Sequence, residues 1–125
     1  MKPISRYLNF AKLKGRCLSE INPGSNETAL YAKDALEAIN LIKDSKLRIL
    51  GGDILTNDNE KLKYAYNVWG KQYQYLNWSC DKLEKESTEE HIKRSYEVAE
   101  DAIKQATTVA EKFNMECLIV LVVSN

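Results

Sequence analysis

Two stretches of the chain repeat apolar residues every three to four positions, the spacing that lines one face of an α-helix. The first predicts a helix that starts between Glu27 and Ala32 and ends near Ser45. The second predicts a longer helix from 88 to 113, and Ser87 and Glu90 have the S-x-x-E spacing of a capping box at its start. The apolar positions of this longer helix are Ile92, Tyr96, Ala99, Ile103, Ala106, Ala110 and Phe113.

The remaining patterned stretches are typical of strands. Residues 117–123 are apolar without alternation, which predicts a central strand buried on both faces. Residues 47–50 predict a short strand that breaks or bulges at Gly51-Gly52, because glycine adopts positive φ at little cost, and that resumes over 53–56. Polar and apolar residues alternate over 62–68 and 73–80, so we expect an antiparallel hairpin there. The predicted fold is α+β: one mostly antiparallel sheet of about four to five strands packed by two main helices.

Length and charge narrow the classes of protein that fit. The 125 residues suit a single domain over 1–125. The 18 Lys and Arg residues balance the 18 Asp and Glu residues, so we do not expect a nucleic-acid partner. The N-terminus lacks the apolar core of a signal peptide, and no apolar run is long enough to span a bilayer. Three widely spaced cysteines favour a reducing compartment, and we expect a cytoplasmic protein without a membrane partner.

Motifs for catalysis and for metal or cofactor binding are missing. His91 is the one histidine, and we interpret it as a solvated residue in the first turn of the long helix. No serine or cysteine has the sequence context of a nucleophile, and Cys17, Cys80 and Cys117 lack zinc-site spacing. We therefore expect no enzyme activity, no catalytic residue, no metal and no cofactor. One alternative stays open, because Asp53 could cluster with Asp81 and serve a small hydrolase or ligand-binding protein.

The segment from Tyr64 to Asp81 contains six of the chain's eleven aromatic residues. Aromatic side chains are common anchors of protein interfaces, and carboxylates suit a basic partner. Packing on the predicted hairpin would account for the same residues, and the pattern does not decide between the two. The candidate partner-binding residues are Asp53, Trp69, Tyr73, Tyr75, Trp78 and Asp81.

Three stretches, taken in order, resemble the family of bacterial immunity proteins called immunity protein 40. They are Ala29-Leu30 with Asp34-Ala35-Leu36-Glu37-Ala38-Ile39, then Ile49-Leu50-Gly51-Gly52-Asp53-Ile54, then Asn77-Trp78-Ser79-Cys80-Asp81 with Ser95-Tyr96. The resemblance covers residues 29–96. The chain departs from the family pattern in a longer region over 66–75 and in a basic N-terminal segment.

The resemblance implies a function and a partner. The protein would be encoded beside a polymorphic toxin and would neutralise that toxin by tight, stoichiometric binding. Its partner would be the C-terminal domain of the cognate toxin, and the protein itself would be a monomer or a weak dimer. A third possibility is a structural subunit that pairs through the predicted hairpin or an open sheet edge.

Overall fold

A computed structural model describes residues 2–125 and confirms the α+β class. A six-stranded sheet has the order β1-β2-β6-β3-β4, with β5 also paired to β3, and every pair is antiparallel. The strands are β1 (Arg16–Cys17), β2 (Thr28–Tyr31), β3 (Arg48–Asp58), β4 (Lys61–Tyr64), β5 (Trp78–Ser79) and β6 (Cys117–Ser124). The helices are α1 (Pro3–Lys14), α2 (Ala32–Ile42), α3 (Ala65–Trp69) and α4 (Thr88–Lys112), and 3-10 helices span Leu18–Glu20 and Lys71–Leu76.

The strand β6 lies inside the sheet, as its unbroken apolar run predicts. It pairs with β3 on one side and with β2 on the other. Alternate residues of β6 and β3 enter two separate cores. Ile119 and Ile54 pack in the larger core with the long helices, whereas Leu118 and Leu55 pack in a smaller core on the other face. We call the first side the helical face and the second the open face.

The long helix α4 begins where the capping box predicts. The Ser87 hydroxyl accepts a hydrogen bond from the Glu90 N–H at 3.1 Å, and the Glu90 carboxylate accepts one from the Ser87 N–H at 2.9 Å. Further along, the Tyr96 hydroxyl lies 2.9 Å from the carbonyl oxygen of Ile42 and 3.0 Å from that of Leu47. The helix is therefore fixed both at its start and to the connection between α2 and β3.

The prediction of an antiparallel hairpin over 62–80 is wrong. Only β4 and β5 are strands, and the chain between them forms α3 and a 3-10 helix. Ala65, Trp69 and Leu76 of these helical turns are buried in the larger core. Alternation over so few residues does not separate a strand from a short helix, and the burial of these side chains outweighs the strand preference of the aromatics.

The glycine pair lies at a bulge, as expected, but for a different reason. The register between β3 and β6 shifts between Ile49 and Gly51. Neither Gly51 nor Gly52 has a positive φ. A Cβ atom on Gly52 would lie 2.3 Å from the nearest atom of the Trp78 ring, and one on Gly51 would lie 2.4 Å from the Trp78 carbonyl oxygen. Glycine is required here because β5 approaches β3 closely.

The interpretation of His91 as a solvated residue is also wrong. Its side chain is 1% exposed, and its Nε2 atom lies 2.7 Å from the carbonyl oxygen of Cys80. A carbonyl oxygen only accepts, so Nε2 carries the proton and donates it. The histidine joins the first turn of α4 to the residue that follows β5. The buried face of α4 is wider than the predicted apolar stripe, because it also includes His91 and Ser95.

Substituting Gly52→Ala tests the contact with Trp78. The added methyl group has no space, so we expect the free energy of unfolding to fall by about 1–3 kcal/mol. Urea denaturation measures the change. In a double-mutant cycle with Trp78→Leu, which removes the obstructing ring, the combined loss should be smaller than the sum of the single losses. Additive losses would contradict the proposed steric reason.

Candidate protein-binding surface

The two predicted tryptophans are part of the folded core. Trp69 is buried and stacks on Phe113, with ring centroids 5.7 Å apart. The Trp78 ring lies over Gly52 and packs against the larger core. Neither indole N–H has a hydrogen-bond partner among the described residues. Trp69 is buried and Trp78 is partly buried, so both rings contribute to the core, and their role as partner contacts stays a prediction.

The two predicted tyrosines lie on the helical face. Tyr75 is 63% exposed, and its ring centroid is 6.3 Å from that of Tyr73. Tyr73 meets Phe113 edge to face at 5.6 Å. These three rings form a small aromatic surface near the C-terminal end of α4. Tyr75 is the most exposed of the three rings, and Phe113 is 39% exposed.

Asp81 lies in the loop that leads into α4. Its carbonyl oxygen accepts a hydrogen bond from Arg94 at 2.6 Å, while its side chain is exposed. The same guanidinium bonds both carboxylate oxygens of Glu86, at 2.6 and 2.9 Å, and holds the pKa of Glu86 down at about 2. Arg94 thus joins the two ends of the loop, Asp81 and Glu86, through hydrogen bonds.

Asp53 and Asp81 do not form the carboxylate cluster that a hydrolase would need. Asp53 is at the middle of β3 on the open face, paired with Val120. Cys80, the residue before Asp81, donates its N–H to the carbonyl of Leu50. Three residues of strand, about 10 Å, therefore separate the level of Asp53 from that of Cys80. Among residues 2–125, no three His, Cys, Asp or Glu side chains are grouped to hold a metal ion.

The Asp53 side chain is half-buried and has no partner. Its carboxylate makes no hydrogen bond and no ion pair with any of residues 2–125. Burial raises its pKa above the ordinary aspartate value. A charged group that is partly removed from water without compensation destabilises the fold. Such a group is a candidate for a binding role.

The surroundings of Asp53 are aromatic and acidic. Tyr64 stacks on Tyr66 with ring centroids 5.9 Å apart. Burial raises the pKa of Tyr64, and the nearby negative charges of Asp53 and Glu27 raise it further. Val122, two residues along β6 from Val120 and so on the same face, is 41% exposed. We call Glu27, Asp53, Tyr64, Tyr66 and Val122 the acidic surface.

The other half of the open face is closed by the N-terminal segment. Leu18 is buried there against β4 and β6 residues. Arg16 bonds Glu20 at 2.6 Å and donates to the Asn57 side chain and the Glu60 carbonyl, each at 3.0 Å. The Arg16 guanidinium is therefore bonded to these three residues and makes no ion pair with Asp53. The open face is therefore divided into a satisfied half and a half with an unpaired carboxylate.

The amino-acid pattern identified Asp53 but missed most of its neighbours. Val122 belongs to a run that the sequence predicts to be buried throughout, and Glu27 is the earliest position at which the sequence predicts that a helix starts. Their shared face follows only from the register of β2, β6 and β3. Tyr64 and Tyr66 were noted as aromatics, and the true end of β4 between them gave no local signal.

Comparison with known proteins decides the family. The family model for immunity protein 40 matches residues 17–123 of the 125-residue chain. The chain belongs to the immunity protein 40 family. No curated protein and no solved structure matches it.

The immunity protein 40 match confirms the resemblance seen in the three short stretches and extends it to β6. The acidic surface lies entirely within the matched span, whereas α1 precedes it. No helix among residues 2–125 is both long and apolar enough to cross a bilayer.

Substituting Asp53→Asn tests the cost of the unpaired carboxylate. Because the folded-state pKa is raised, folding is favoured by protonation, so stability is lost as pH rises from the unfolded value of about 4 through the folded value. The asparagine variant should unfold at higher urea than the natural protein at pH 7, and the gain should vanish at pH 3. Asp81→Asn, at an exposed carboxylate, is the control. A destabilised Asp53→Asn protein at pH 7 would contradict the assignment.

Proposed function

We propose that this immunity protein neutralises its cognate bacterial toxin by binding the toxin's C-terminal domain in a one-to-one complex in the cytoplasm. The family supplies the immunity role. The observation that supports a binding site is the half-buried Asp53 carboxylate with no partner among residues 2–125. The protein is proposed to act by occupancy, without catalysis.

The acidic surface has the composition of a site for a basic partner. A Lys or Arg of the toxin placed beside Asp53 supplies the missing counter-ion in a partly desolvated setting, where a charge pair is stronger than in water. Tyr64 and Tyr66 offer stacked rings on which the stem of that cation can pack. Val122 adds apolar area beside them. Glu27 extends the negative charge and favours association with a basic surface.

The aromatic surface of Tyr73, Tyr75 and Phe113 is a second candidate contact. It lies on the helical face, on the opposite side of the sheet from Asp53. A flat partner surface cannot contact both sides of the sheet at once. We therefore propose the acidic surface as the primary contact, since it alone contains an uncompensated charge, and Tyr75→Ala tests the other side.

Binding to the toxin domain encoded beside this chain tests the proposal. Asp53→Lys places a cation where we propose that the toxin places one, so affinity by isothermal titration calorimetry should fall at least tenfold, a change of about 1.4 kcal/mol. Co-expression should then no longer rescue growth. Asp81→Lys makes the same charge change away from the acidic surface and should retain both binding and rescue.

Two results would contradict the proposal in different ways. If the natural protein neither binds that toxin domain nor rescues growth, the immunity function toward it is wrong. If Tyr75→Ala or Asp81→Lys abolishes binding while Asp53→Lys does not, the immunity function stands and the binding surface is misassigned. Circular dichroism on each variant confirms that the fold is retained.

A further inference from the structure

One edge of β6 has no neighbouring strand over its last residues. β6 pairs with β3 as far as Ser124, but with β2 only as far as Val120, opposite Ala29. Thr28, the first residue of β2, lies opposite Leu121 in this register, so Val122 to Ser124 have a strand on one side only among the described residues. At the rise of an extended strand, this free stretch is about 10 Å long.

The backbone N–H and C=O of one residue in this stretch, Val123, point outward. Ile54 donates its N–H to the Asn77 side chain, on the side of β3 away from β6. Because backbone groups alternate along an antiparallel strand, Asp53 directs its own toward its partner Val120. The same alternation along β6 directs the N–H and C=O of Val123 away from β3. They face the edge where β2 has ended.

A groove runs beside this free edge. It has a volume of about 220 Å³, and its walls are α1, the start of β2 and the end of β6. Leu8 of α1 is 56% exposed and lines it, together with Val122. Its polar lining residues are Tyr7, Asn26, Glu27 and Thr28. Burial and the charge of Glu27 raise the pKa of Tyr7 to about 12, so the phenol stays neutral and Glu27 is the charge in the groove.

We propose that an extended segment of the toxin adds to the free edge of β6 as a further strand. Its backbone bonds Val123, an apolar side chain enters the groove beside Leu8, and a Lys or Arg pairs with Glu27. This inference rests on the proposed function and specifies how the partner is held. Strand addition to an open edge supplies affinity through the main chain, and the pocket beside it supplies selectivity.

Charge and position favour the toxin over a second copy of this chain as the occupant. Glu27 is exposed and makes no ion pair with residues 2–125, so its charge is available to a cation of the partner. A second copy would bring its own Glu27 to the same edge, and like charges across a strand pair repel. The groove also adjoins the acidic surface through Val122 and Glu27, so one partner can cover both.

The helix α1 gives the groove a wall from outside the span that matches the immunity protein 40 family. Its exposed leucines provide a matched test. Leu8 lines the groove, whereas Leu13, 80% exposed on the same helix, does not. Leu8→Glu should weaken binding of the adjacently encoded toxin domain at least tenfold, while Leu13→Glu should leave it within about twofold.

Hydrogen exchange distinguishes strand addition from a side-chain contact alone. In the complex with that toxin domain, exchange of the Val123 amide should slow at least tenfold relative to the free protein. Equal exchange in both states, or equal effects of Leu8→Glu and Leu13→Glu, would overturn strand addition while leaving the immunity function in place. If the natural protein fails to bind the toxin domain, the proposed function fails first. A dimer in sedimentation that dissociates on Leu8→Glu would assign the edge to a second copy instead.

Discussion

The antiparallel pairing of β3 with β6 is the interaction on which the rest of the structure depends. Eight residue pairs join Arg48–Thr56 to Cys117–Ser124, and both strands place apolar side chains in the cores on either side of the sheet. The other strands pair with one of these two, except β1, which pairs with β2. The long helix α4 leads directly into β6 and packs on β3, so the last strand completes a core that the earlier elements leave unfinished.

The two faces of the sheet around this pairing differ in how completely they are covered. The helical face is filled by Tyr96, Trp69 and Trp78 along with the aliphatic core, and the indole N–H groups of both tryptophans lie there without a hydrogen-bond partner among the described residues. The open face carries no α-helix and is only half covered by the N-terminal segment. The half-buried carboxylate of Asp53, which makes no ion pair with residues 2–125, lies where this coverage ends. The unpaired charge of Asp53 lowers the stability of the free protein, which is expected where a residue serves binding to another molecule.

How much of this could be predicted from sequence depended on how far each pattern extended. The helix α4 repeats its apolar spacing over seven turns and has a capping box, and β6 is apolar at seven consecutive positions, so local pattern alone located both. The region 65–76 has a short alternation that tertiary packing overrides. His91 and the Trp78–Gly52 contact depend on which elements meet in space. Glu27 and Val122 also reach Asp53 only through the pairing of distant strands, so the sequence pointed to Asp53 alone.

The helical segment between β4 and β5 leaves the outer edge of β3 and returns to it. Sheet pairing therefore fixes both ends of the segment, and the burial of Trp69 and Leu76 fixes the helical turns between them. Between these two buried positions, Gln72 and Gln74 are exposed. Substitutions at these two positions can therefore change the surface on one side of the molecule while the strand register and the core stay intact.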